Sequence, residues 1–354
     1  MVTNCNRLRL RAGTKCTHPF QLSTICRQLK LLLLMETRKL VKSGLSSHVV
    51  ALPHDFIQDN KLRKGDTIYI HKKSPQILEL SIKPESQNKN LKNGIKEIHI
   101  KNRSMHYIQR EIIKAYINNA DEIVIYLNNS SEAKKIKEYI SSLVALEVVQ
   151  EDNKKIVAKD FLNYKDKEVE RTLRRIEHIV CSMIQDLKDI EKDEPLAQII
   201  VERDKEVNRL SFLAMRILFV AATNQEVSST LQLNSSSILR LWNTNMHLEK
   251  IGDCAKRLGK ELGDMNKTSY PKKKLYAILD QLVSHYKETF AAIHKNDQEQ
   301  LDTSIEQRFE LLKNLDSFIE ENHSISISRV ISQLKQILSH LSDTTRIYRF
   351  CQEN

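Results

Sequence analysis

The chain has 354 residues, of which 40% are hydrophobic and 29% charged, with only 7 glycines and 6 prolines. That is the balance of a soluble globular protein rich in helix formers, long enough for two or three domains, and no apolar run reaches the length of a transmembrane helix. The net charge of +11 favours acidic partners such as nucleic acid or an anionic membrane surface. Six of those charges (Arg7, Arg9, Arg11, Lys15, Arg27, Lys30) precede Met35, where no acidic residue occurs, so the remainder carries only +5 and the argument for nucleic acid weakens.

Residues 1–34 hold three of the six cysteines, Cys5, Cys16 and Cys26, and show no periodicity. They read either as a basic disordered arm or as sequence upstream of a true start at Met35. Cys181, Cys254 and Cys351 are widely spaced with no Cys-x-x-Cys, which points to a reducing, cytoplasmic compartment.

Residues 35–84 alternate as strands. Basic Arg38–Lys42 is followed by a Ser43-Gly44 break, His48–Pro53, a short amphipathic stretch over His54–Lys61, and a Lys64-Gly65-Asp66 turn before strands Thr67–His71 and Gln76–Ile82. The order of basic strand, Leu52-Pro53, short helix and Leu62-Arg63-Lys64-Gly65-Asp66 resembles the AbrB/SpoVT family of swapped-hairpin DNA-binding domains. The resemblance implies a homodimer through this domain and DNA-phosphate contacts from Arg38, Lys39, Lys42, Arg63 and Lys64. The loop Gly44-Leu45-Ser46-Ser47 lacks the arginine that many members carry there. A row of cations on a strand also guards an exposed sheet edge.

Residues 94–162 predict a small α/β domain of unassigned ligand. Strand Lys96–Ile100 is followed by an amphipathic helix over Tyr107–Asn119 and a buried strand over Glu122–Leu127. A helix over Ser131–Ser142 and a hairpin from Ala145–Val149 and Ile156–Phe161 complete it. It has no glycine-rich phosphate loop and no nucleophile motif.

Residues 166–354 predict an all-α bundle of six helices in two three-helix repeats, about 166–264 and 270–354, with turns marked by Pro195, Asn224, Pro271, Asn296 and Asn322. The whole is a multi-domain α+β chain. Within the bundle, Glu249 and Asp253 are four residues apart and share one helix face, a like-charge spacing that calls for a bound cation or cationic partner. Gly252, Ala255 and Gly259 make a small-residue stripe beside them that admits close approach of another helix or a ligand.

Leu248-Glu249-Lys250-Ile251-Gly252-Asp253 is similar to the Glu-Arg-Ile-Gly-Asp signature of the PhoU family of phosphate-uptake regulators, and Asp204–Asn208 resembles that family's Asp-x-x-x-Asn/Asp helix. The resemblance implies a divalent or trivalent metal ion (Mg, Mn, Zn or Fe) held by Asp204, Asn208, Glu249 and Asp253. In its second half Asp343 aligns with Asp253, but Ser339 replaces Glu249 and Ser342 replaces Gly252, with Glu306 and Glu310 as partial substitutes. The domain order resembles archaeal phosphate-uptake regulators. The resemblance implies a non-enzymatic, dimeric transcriptional regulator of phosphate homeostasis. The alternative is an adaptor that docks on a phosphate ABC transporter or signalling protein without touching DNA.

Overall fold

The computed structural model describes residues 37–350 except 45–46, 75–76, 83–93, 102, 164–167, 191–194 and 266–269, so the readings for residues 1–34 and Cys351 lie outside the described residues. The protein is mostly helical and divides into two compact units that part between Asn88 and Lys89.

The first unit contains two antiparallel hairpins and a short helix. β1 (Val41–Ser43) pairs with β2 (Ser47–Val49), setting Val41 opposite Val49. Helix α1 spans His54–Asp59 and buries no residue. The turn before the second hairpin closes locally, with the Arg63 N–H donating to Asp66 Oδ2 at 2.6 Å and the Asp66 N–H to the Arg63 carbonyl at 3.0 Å. Gly65, at φ +98°, supplies the left-handed residue that this turn requires. Then β3 (Tyr69–Ser74) pairs with β4 (Ile77–Ser81).

The second unit opens with a four-stranded sheet in the order β5-β6-β8-β7, from β5 (Ile95–His99), β6 (Glu122–Tyr126), β7 (Leu146–Glu151) and β8 (Lys155–Asp160). β5 and β6 are parallel, and helix α2 (Met105–Ile117) makes the crossover that such a pair needs. Ser104 caps that helix by accepting the Tyr107 N–H at 3.2 Å. Pleating sends Ile123, Ile125, Ile156 and Ala158 into one core with Ile108 and Ile112 of α2 and Ile136 and Ile140 of helix α3 (Ala133–Ser141).

The remaining helices are α4 (Glu168–Asp186), α5 (Leu196–Thr223), α6 (Gln225–Thr230), α7 (Ser235–Met265), α8 (Lys272–Lys295), α9 (Gln298–Glu321) and α10 (Ile325–Phe350). Each long helix buries an apolar stripe in one shared core, Val169, Leu173, Ile176 and Val180 on α4 for instance. α4, α5 and α7 pack together, α8, α9 and α10 pack together, and α7 lies along α10 to join the two groups. Asn296, left-handed at φ 53°, ends α8, and Asp297 starts α9 by accepting the Gln300 N–H at 3.1 Å. No helix among the described residues is long and apolar enough to cross a membrane.

A buried ionic junction ties the sheet layer to the bundle. Arg216, fully buried on α5, reaches Asp160 at the end of β8, with Nη1 2.9 Å from Oδ1. Its Nη2 donates to Asn119 Oδ1 at 2.7 Å, and its guanidinium stacks 4.5 Å above the Tyr116 ring. Removing one partner of such a pair strands a buried charge, at a cost of about 3–5 kcal/mol.

Candidate functional site

The small-residue stripe of α7 sets the geometry. A Cβ on Gly252 would lie 3.3 Å from Val207 Cγ1 and 3.5 Å from Val180 Cγ2, so the α7 backbone sits directly on α5 and α4. Gly259 does the same one heptad on, 3.5 Å from Ile200 Cδ1 and 3.6 Å from Ile190 Cδ1. This close approach brings Asp204 and Asn208 of α5 to the same face as Glu249 and Asp253 of α7.

Lys256, a residue that sequence reasoning passes over, stands among them. Its ammonium donates to Asp204 Oδ2 at 2.7 Å and to Asp253 Oδ1 at 2.6 Å. Asn208 also donates to Asp204 Oδ2, at 3.2 Å, and Arg257 reaches Asp253 Oδ2 at 3.3 Å. The signal for Lys256 lies in its spacing, three residues after Asp253 and seven after Glu249, which places it on the same helical stripe.

Asp204 is only 5% exposed, and that burial raises its carboxyl above the usual range despite the hydrogen bond and charge of Lys256. Glu249 is raised by burial first and then by the charges of Asp253 and Asp204. Burial alone would lower Lys256, but its hydrogen bonds to Asp204 and Asp253 more than offset that and raise it. The face therefore demands positive charge, and in this structure an ammonium supplies part of it. The donor set is all oxygen and fits a hard cation, which would compete with Lys256 for the same two atoms.

Beside this face, an open cleft of about 770 Å³ lies between the end of α7 and the start of α10, lined in part by Arg257, Lys260, Arg329, Ser328 and Ser332 and by Glu261, which pairs with Arg329 at 3.8 Å. Arg257 thus borders both the acidic face and the cleft.

Other candidate residues stand elsewhere. Arg38, Lys39, Lys42, Arg63 and Lys64 are all exposed on the first unit, the first three in and before β1 and the last two in the turn ahead of β3. Of the cysteines, burial pushes Cys254 up to about 11 and raises Cys181, which leaves both as poor nucleophiles at neutral pH.

Comparison with known proteins places these observations. A family model for the PhoU domain matches residues 173–262, which include all four acidic-face residues. No curated protein matches the chain. Among solved structures, PhoU from Pseudomonas aeruginosa is 16% identical over 52% of this chain and 95% of its own, with a TM-score of 0.42. The phosphate transport system regulatory protein PhoU from Streptococcus pneumoniae is 12% identical over 52% and 93%, also at 0.42. The segment that matches the PhoU domain model, residues 173–262, runs from α4 through most of α7.

Proposed function

We propose that the chain is a non-enzymatic regulator of phosphate uptake whose helical bundle responds to a hard metal ion and to phosphate. The observation that carries this reading is that Asp204, Asn208, Glu249 and Asp253 converge inside the segment that matches the PhoU domain. A metal ion bound by these four residues would supply a fixed positive charge where Lys256 now reaches, and phosphate oxygens are suitable further ligands for it. In the neighbouring cleft Arg257, Lys260 and Arg329 outnumber Glu261, an excess of positive charge that favours the same anion.

Titration of Mn²⁺ into the full chain, with and without inorganic phosphate, tests the reading. Asp253→Asn is expected to lose Mn²⁺ binding. Lys256→Met, which removes the competing charge, is expected to tighten it by at least about tenfold. Equal binding by all three proteins, or none by any, leaves the adaptor that docks on a transporter or signalling protein as the better account.

The first unit favours a second element of the proposal, a homodimer formed through residues 35–84. None of its described side chains is buried, and both hairpins hold out apolar pairs. Its five exposed cations are the proposed DNA contacts. Duplex binding followed by anisotropy at two salt concentrations should weaken steeply with salt, and replacing the five by Gln should abolish it. DNA binding that survives that replacement removes those residues from the proposal.

A further inference from the structure

The structure assigns a second, nitrogen-rich metal site to the seam between the two halves of the bundle, formed by His247 of α7 with His340 and Asp343 of α10. Among the described residues, this is the one group of three metal-ligating side chains whose donor atoms all lie within 4.8 Å of one another. It shares no residue with the acidic face and does not depend on the function proposed above.

The geometry suits a tetrahedral ion. His247 Nδ1 and His340 Nδ1 are 3.2 Å apart. Two nitrogens bonded to one Zn²⁺ at about 2.0–2.1 Å in a tetrahedron stand roughly 3.3–3.4 Å apart, so the two ring nitrogens already stand about one edge of that figure apart. The rings are tilted by 42° with centroids 5.3 Å apart, so they converge at the nitrogens rather than stack. His340 and Asp343 are three residues apart on one face of α10, which aims a carboxylate at the same point. Asn243, one turn before His247, has a buried Oδ1 with no hydrogen-bond partner, so an oxygen acceptor on that stripe is also unsatisfied.

The chemistry of the set selects its ion. Two imidazoles and one carboxylate prefer Zn²⁺ and its neighbours to Mg²⁺ or Mn²⁺, whereas the all-oxygen face prefers the harder ions. Burial lowers both imidazoles, with Lys250 and, for His247, the other ring adding to the effect and Asp343 opposing it, a balance that favours the neutral ligand form. Two cations oppose binding. Lys250 bears on both rings, and Arg346 holds Asp343 Oδ1 at 3.3 Å in an exposed pair of small worth. With three protein ligands, a fourth position stays open to water or an anion. An ion there would clamp α7 to α10, and so the first group of helices to the second.

The test is competition titration of Zn²⁺ against a chromophoric chelator on the metal-stripped full chain, repeated on His340→Gln and Asp343→Asn. The wild type is expected to bind one Zn²⁺ more per chain than either variant, or to bind it roughly a hundredfold more tightly. Co²⁺ at the same site should give the strong visible absorption of a four-coordinate ion, absent from the variants. Circular dichroism establishes that each variant is folded, and Asp343→Asn, at a ligand whose side chain is 37% exposed, carries the test if His340→Gln is not. The difference in Zn²⁺ binding between parent and His340→Gln should persist in the Asp253→Asn background, which separates this site from the acidic face. Zinc binding that is absent, or identical in wild type and variants, overturns the assignment and leaves a plain hydrogen bond between two histidines.

Discussion

Glu249 shows how a single residue reports on its face. Lys256 and Arg257 take up Asp204 and Asp253, and Glu249 is left with both carboxylates pressing on it. Its carboxyl is raised, by burial first and then by those two charges, so the folded protein holds that proton more tightly than the unfolded chain does. Stability from this group is therefore fully present at low pH and is lost as pH rises through the folded value. At pH 7 the charged form is a net cost. Glu249→Gln is expected to stabilise the protein there by about 0.5 kcal/mol, the cost of a like-charge pair one turn apart. The gain should shrink to nothing as pH falls below the ordinary carboxylate range. Urea melts at several pH values read this directly, and a gain that stays constant with pH would exclude the electrostatic cause. At this scale the sequence is only partly legible. The Glu249–Asp253 spacing announces a need for positive charge, whereas His247 stands more than ninety positions from His340 and Asp343 and meets them only because α7 lies along α10.

The elements explain why the acidic face exists. Gly252 and Gly259 both look like defects in a long helix, each costing about 1 kcal/mol of propensity, yet the structure treats them differently. At Gly259 an added Cβ meets Ile200 and Ile190 at ordinary contact distance, 3.5 and 3.6 Å, so Gly259→Ala is expected to stabilise the protein by about 0.5–1 kcal/mol. At Gly252 the contact with Val207 is already 3.3 Å, so Gly252→Val drives a branched side chain into α5 and should cost about 1–3 kcal/mol. Paired thermal melts check both signs, and Gly252→Val should also weaken Mn²⁺ binding because it pushes α5 from α7. A stabilising Gly252→Val would mean that the helices part freely at that point. Helix boundaries are legible from Pro195, Asn224, Pro271 and Asn296, because capping and chain-reversing residues act locally. The four strands of the sheet are each legible, from Lys96–Ile100, the apolar run Glu122–Leu127 and the hairpin of Ala145–Val149 with Ile156–Phe161. The pairing order β5-β6-β8-β7 is not, because it depends on which strands meet after the α2 crossover. Arg216 is illegible for the same reason. A lone cation in an apolar helical run reads as a packing anomaly until Asp160 and Asn119 are placed against it.

At the scale of the whole molecule, apolar side chains stand exposed among the described residues of the first unit. Val41 and Val49 face each other across one hairpin at 55% and 49% exposure, and Ile70 and Leu80 across the other at 64% and 39%. Leu40, Val50 and Leu78 are exposed as well. A segment of this size buries too little surface to hold its own core, and in a folded protein such pairs call for a partner. A second copy is the economical choice, since a two-fold axis would set the same valines and the same Ile70–Leu80 pair against their equivalents. The full chain is therefore expected to show twice the chain mass in light scattering at tens of micromolar. Val49→Asp combined with Ile70→Asp should reduce it to one chain mass, because each carboxylate would have to be buried unpaired. The helical unit has its own continuous core, from Val169 to Leu341, and should keep its helical circular dichroism in that variant. A wild-type chain that scatters as a monomer rules out the homodimer, whereas a dimer that survives both substitutions places its interface on the helices and leaves the exposed valines to another partner.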